Sequence, residues 1–107
     1  MQQLRARQLA DWLADDSRKP PVLLDVREAW ELEMCSLPGV QHIPMHLVPT
    51  RLGELSPDDE IVVICHHGAR SMQVAMFLER NGFASLYNLT GGVDAWTGEV
   101  DPNFRRY

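Results

Sequence analysis

Four β-branched residues in a row, Ile61-Val62-Val63-Ile64, constrain this chain more than any other feature of it. A strand with one wet face alternates apolar and polar side chains, so an unbroken apolar run needs cover on both faces. That is the setting of a central strand in a parallel sheet, with helices packed above and below. The rest of the sequence supplies the parts. Leu9, Trp12 and Leu13 fall at i, i+3 and i+4 of a short amphipathic helix, which Asp15-Asp16-Ser17 and then Pro20-Pro21 end. Val22-Leu23-Leu24 reads as a strand ending at Asp25, and Glu28 to Met34 as a short helix with Trp30 and Met34 on one side. Pro38-Gly39 makes a turn before a brief strand over Val40 to Ile43, and Met45 to Leu55 is irregular or weakly helical. After the central strand come an apolar helix, Ser71 to Arg80, and its closing signal, Asn81-Gly82-Phe83. Ser85 to Leu89 is a strand, and Val93 to Trp96 a last short helix beyond Gly91-Gly92. The alternation predicts an α/β fold, a small and mostly parallel sheet flanked by helices. A length of 107 residues makes this one domain, 1–107, with one modest core.

Charge removes several function classes. Ten Lys and Arg against fifteen Asp and Glu leave a net charge of -5, so a basic face for nucleic acid or an anionic membrane is not expected. The longest strongly apolar stretch, Ile61 to Cys65, is far short of the roughly 20 residues of a membrane span. The start, MQQLRARQLADWLADD, is charged and amphipathic, without the apolar run of a signal peptide, so a cytoplasmic setting is expected. Cys35 and Cys65 are too few for a disulfide framework. Chemistry is the better reason to carry one of them.

In parallel sheets reactive groups gather beyond the carboxyl ends of the strands. The central strand runs straight into Cys65-His66-His67-Gly68-Ala69-Arg70-Ser71, and a helix follows at once. A free cysteine in water is only about 3% thiolate at neutral pH, and making it mostly thiolate requires roughly 2.7 kcal/mol of anion stabilisation. A helix N-terminus contributes about 0.3–1 kcal/mol, so loop amides and the Arg70 cation must add to it. Gly68 lets successive N–H groups turn inward as an anion-binding nest. Arg70 is the only fixed charge between Ile61 and Leu78, which marks an anion pocket in an acidic chain. The plainer readings are a buried structural thiol for Cys65 and a carboxylate-paired arginine for Arg70; catalysis and ligand contact are favoured over them. His66 and His67 either tune specificity or are solvated loop residues. Cys35, Cys65, His66 and His67 lack the paired spacing of zinc motifs, so neither metal nor cofactor is expected. Cys35 is read as incidental rather than as a resolving thiol. Asp25, Arg27 and Glu28 are read as a cap or buried ion pair, and Trp12, Trp30 and Trp96 as core.

On these residues the chain resembles the rhodanese family of sulfurtransferases. Leu23-Leu24-Asp25-Val26-Arg27-Glu28 is similar to the family's first motif, and Leu37-Pro38-Gly39-Val40 with His42-Ile43-Pro44 to its middle one. Cys65 to Ser71 is similar to the active loop, and Leu89-Thr90-Gly91-Gly92-Val93-Asp94-Ala95-Trp96 to the closing motif. Cys35-Ser36-Leu37 departs from the family's usual Gly-His-Ile, and Asn103 to Tyr107 carries no motif. The resemblance implies a rhodanese-like three-layer fold with about five strands. It implies ping-pong transfer of a sulfane sulfur from thiosulfate or a similar donor, through a Cys65 persulfide, to cyanide, a small thiol or a thiol protein. The amides of His66 to Ser71 would cradle the persulfide and Arg70 would orient the donor. Phosphatases of this fold use a loop one residue longer, so phosphatase or arsenate-reductase chemistry is the alternative reading. A non-catalytic protein-binding module ranks below it, because such modules commonly lack the loop cysteine.

Overall fold

The computed structural model describes all 107 residues. Its sheet is built outward from β4 (Ile61–Ile64), whose four side chains are fully buried. Burying each of them contributes about 1.5–3 kcal/mol relative to exposure. β4 lies between β2 (Val22–Asp25) and β5 (Leu86–Thr90), with Leu24 opposite Val63 and Tyr87 opposite Val62. β3 (Gln41–His42) extends the sheet beyond β2, and β1 (Gln2–Arg5) extends it beyond β5. All five strands are parallel, in the order β1-β5-β4-β2-β3.

The pleat of β4 divides the core into two layers. Val62 and Ile64, with Leu23 and Leu89, pack against α1 (Ala6–Ala14) and α4 (Gly92–Glu99) through Leu9, Trp12, Val93 and Trp96. Ile61 and Val63, with Leu24 and Leu86, pack against α3 (Ala69–Arg80) through Val74, Ala75 and Leu78. Val48 and Leu55 join that second layer from two 3₁₀ turns, Met45–Thr50 and Leu52–Glu54. The connection from β2 runs outward through α2 (Ala29–Met34) to β3, whereas β4 runs the other way, through α3, to β5. The chain reversal therefore opens a crevice at the carboxyl ends of β2 and β4, where such sheets bind their ligands.

Several boundaries move. The brief strand expected over Val40 to Ile43 narrows to Gln41–His42, and the segment after it forms 3₁₀ turns. The helix expected from Ser71 begins at Ala69, so Ala69 and Arg70 sit in its first turn. The last helix runs to Glu99, three residues beyond Trp96. β1 has no apolar alternation to announce it: three of its four residues are exposed, and its order comes from backbone pairing with β5 at the sheet edge. Trp30 is not a core residue. It is 59% exposed, edge-on to Tyr107, and Leu13 is likewise exposed at the end of α1. Both follow from helices too short to bury a full stripe.

Candidate active site

Cys65 leaves β4 with its side chain buried among the α3 layer. The loop then folds back so that the Gly68 N–H donates to Cys65 Sγ at 3.0 Å. That return needs Gly68 in the left-handed region, at φ +106, where a side chain would also crowd the Gly91 nitrogen at 3.2 Å. Gly68 is at the same time the N-cap of α3, so the thiol sits at the positive end of a twelve-residue helix. The N–H groups of His66, His67, Ala69, Arg70 and Ser71 have no acceptor within the protein. Of the six amides expected to cradle the sulfur, one is on Sγ and these five remain free to bind a second atom beside it.

Two further elements hold the loop. Ser71 Oγ lies 3.3 Å from Sγ and donates to Asn88 Oδ1, and Asn88 Nδ2 donates to Gln3 Oε1 at 2.9 Å. This polar string ties the cysteine to β5 and β1, and Ser71 and Asn88 are both buried. On the loop's other edge, the Cys65 and His66 carbonyls accept from the N–H groups of Val93, at 3.0 Å, and Asp94, at 3.1 Å. The start of α4 thus clamps the loop. Gly92 permits it, since a Cβ there would stand 2.4 Å from both carbonyl oxygens.

The charge around the loop differs from the sequence expectation. Arg70 has no carboxylate near it in sequence, yet α2 brings one. Arg70 Nη1 and Nη2 donate to Glu31 Oε1 and Oε2 at 2.7 and 2.9 Å. Glu31 is itself fixed by the Glu28 N–H at 2.9 Å and by the Tyr107 hydroxyl at 2.7 Å. The Arg70 bonds lead in holding the Glu31 carboxyl down at about 2, against burial. Tyr107, from the tail without a motif, also accepts from Arg27 Nη1 at 2.9 Å and stacks on His66 with 3.9 Å between ring centroids. Burial pushes its phenol up to about 12, so the hydroxyl stays a donor to Glu31. Arg27 is fully buried and forked onto Asp25, as a structural ion pair should be. Glu31, Asn88 and Tyr107 are the site residues that sequence reasoning missed. Only Asn88 left a trace, as a polar residue between Tyr87 and Leu89 in a strand.

The histidines take different positions. His67 is exposed, while His66 is wedged between Tyr107 and His67, with Nε2 buried and unpartnered. Burial, then the neighbouring His67, lowers the His66 pKa, which favours the neutral ring. Donor atoms of His66, His67 and Asp94 lie within 4.8 Å of one another, but the Asp94 carboxylate is already paired with Arg106 at 3.1 Å. Cys35 is half-buried in the α1–α4 layer, with Sγ 3.8 Å from Arg27 Nη1, whereas Cys65 belongs to the α3 layer.

A family model described as the rhodanese-like domain matches residues 8–99. The chain belongs to this family. The rhodanese-like fold is equally plain in solved structures: a rhodanese-like domain protein from Staphylococcus aureus superposes with a TM-score of 0.85 at 29% identity, covering 100% of this chain and 99% of that one. A protein of Allochromatium vinosum named sulfurtransferase is 34% identical over 88% of this chain and 86% of its own length. A chloroplastic rhodanese-like/PpiC domain-containing protein of Arabidopsis thaliana is 43% identical over 79% of this chain. The chain spans only 30% of that protein's length. These relatives support a sulfurtransferase-type function in general. No helix is long and apolar enough to cross a membrane.

Proposed function

We propose that this rhodanese-like domain is a sulfurtransferase that carries a sulfane sulfur as a persulfide on Cys65, by a ping-pong mechanism. The Cys65 thiolate attacks the outer sulfur of a donor such as thiosulfate. The Sγ–S bond forms as the donor's S–S bond breaks, and the donor remnant leaves with the electron pair, as sulfite in that case. An acceptor nucleophile, cyanide or a thiol (free or on a protein), then attacks the outer sulfur and Cys65 departs as thiolate. The observation that carries this reading is the Gly68 N–H directed onto Sγ at the N-terminus of α3, beside five amides without acceptors. One sulfur atom is what such a ring accommodates, and charge-assisted bonds from amides to a persulfide anion stabilise it. His66, His67, Gly68, Ala69, Arg70 and Ser71 make the wall of this pocket. Ser71 Oγ, at 3.3 Å, can turn its proton from Asn88 to the sulfur when the thiol ionises. A reducing cytoplasmic compartment suits a chain with two free cysteines.

Incubation with a sulfane donor, either thiosulfate or a thiol persulfide, should add the mass of one sulfur to the protein. The adduct should vanish on adding cyanide and never form in Cys65→Ser. Intact-mass spectra without the adduct for either donor would overturn the reading. Turnover of an aryl phosphate in their place would select the phosphatase alternative.

A further inference from the structure

We propose that the preferred donor at this site is a thiol persulfide rather than thiosulfate, because the loop's fixed cation is already committed to Glu31. The inference rests on the sulfurtransferase reading and narrows its substrate class. Thiosulfate arrives as a dianion and its cleavage releases sulfite, also predominantly doubly charged. A site built for it needs a cation free to turn toward that charge. Both terminal nitrogens of Arg70 instead face the Glu31 carboxylate. Glu31 is almost fully buried and held from two other sides, by the Glu28 N–H and the Tyr107 hydroxyl. Turning Arg70 away would strand a buried carboxylate without its cation, which buried pairs resist strongly.

The neighbouring charged groups that contact the Glu31–Arg70 cluster and the loop are committed as well. Arg27 is fully buried and paired with Asp25, Arg106 is paired with Asp94, and His66 is kept toward its neutral form by burial. The loop therefore offers amide N–H groups and a helix end, with its one fixed positive charge compensated, in a chain of net charge -5. Such donors suit a single reacting sulfur that carries one charge at most. A thiol persulfide meets that description. In the transfer, Cys65–S⁻ attacks the outer sulfur of R–S–SH, the Sγ–S bond forms and the donor's S–S bond breaks. The electron pair leaves on R–S⁻, and the transferred sulfur keeps its proton. Atoms, charge and oxidation level balance without a co-reactant.

Single-turnover loading of Cys65, followed by intact mass, tests this with glutathione persulfide and thiosulfate as probes. The persulfide should load the protein at least about tenfold faster, the factor that one missing charge-assisted contact represents. Glu31→Gln should release the Arg70 fork and shift the rate ratio toward thiosulfate by about tenfold. A wild-type measurement stands independently of whether that variant folds. Added salt should raise the thiosulfate loading rate, because it screens repulsion by an acidic chain. Thiosulfate loading as fast as persulfide loading overturns the inference. So does a rate that falls with salt, as does a folded Glu31→Gln protein with an unchanged ratio. Failure of both donors to load Cys65 overturns the sulfurtransferase reading itself.

Discussion

The sulfur loop depends on single residues placed where alternatives do not fit. Gly92 sits at φ +59 against the Cys65 and His66 carbonyls, so even one methyl group must push the loop away from α4. Gly92→Ala should cost about 2–4 kcal/mol, the sum of left-handed strain and overpacking. Urea denaturation checks this, and a cost within error of zero would mean that α4 does not clamp the loop. Tyr107 presents a different case. Its hydroxyl both accepts from Arg27 and donates to Glu31, so Tyr107→Phe removes two bonds to charged groups while keeping the ring on His66. The expected loss is about 1–2 kcal/mol, read from the same denaturation curves. No loss would indicate that the tail rests on the surface without holding it. Cys65, Gly68 and Arg70 were legible in the sequence because they share one short loop; their partner residues lie 39 positions away at Glu31 and at the far end of the chain.

At the scale of elements, the tryptophans separate what periodicity sees from what packing decides. Trp12 is buried between α1 and β5, edge-on to Tyr87, whereas Trp30 stands largely in solvent on a six-residue helix. Trp12→Ala should destabilise the protein by about 3–5 kcal/mol, and Trp30→Ala by less than about 1 kcal/mol. Comparing their thermal midpoints tests this, and equal shifts would contradict the placement of α2. β1 makes the same point from the other side. Its residues, Gln2 to Arg5, carry no strand pattern, yet they add the fifth strand because β5 offers an unpaired edge. Strand pairing of an exposed segment leaves no hydrophobic signature, so no window of sequence could have shown it.

For the molecule as a whole, the Glu31–Arg70 pair links stability to acid. Glu31 ionises well below its ordinary value of 4.5, at about 2, chiefly through the Arg70 hydrogen bonds. A carboxyl with a depressed folded-state pKa stabilises the fold while ionised; that contribution is intact above about pH 4.5 and drains away as pH falls toward 2. About 2–3 kcal/mol should be lost across that window in the wild type, and most of that dependence should be absent in Glu31→Gln. Thermal melts between pH 2 and 5 provide the measurement. Parallel curves for the two proteins would locate the acid sensitivity in other carboxylates. The same pair joins α2 to α3 across the crevice between β2 and β4, so the contact that steadies the molecule also sets the charge of the site.

Local order in the chain was enough for part of this. The β-branched run had to be a covered central strand, since its apolar surface has no other low-energy place in water. A cysteine at the end of that strand, followed by glycine and a helix, had to lie at a positive helix end. Both conclusions need only contacts between near neighbours in sequence, and the fold class and the candidate thiol follow from them. The charge state of the pocket was settled by tertiary structure alone. Whether Arg70 is a free cation or the partner of a buried carboxylate depends on α2 and the tail arriving beside it, and electrostatic compensation acts through space, with no regard for position along the chain.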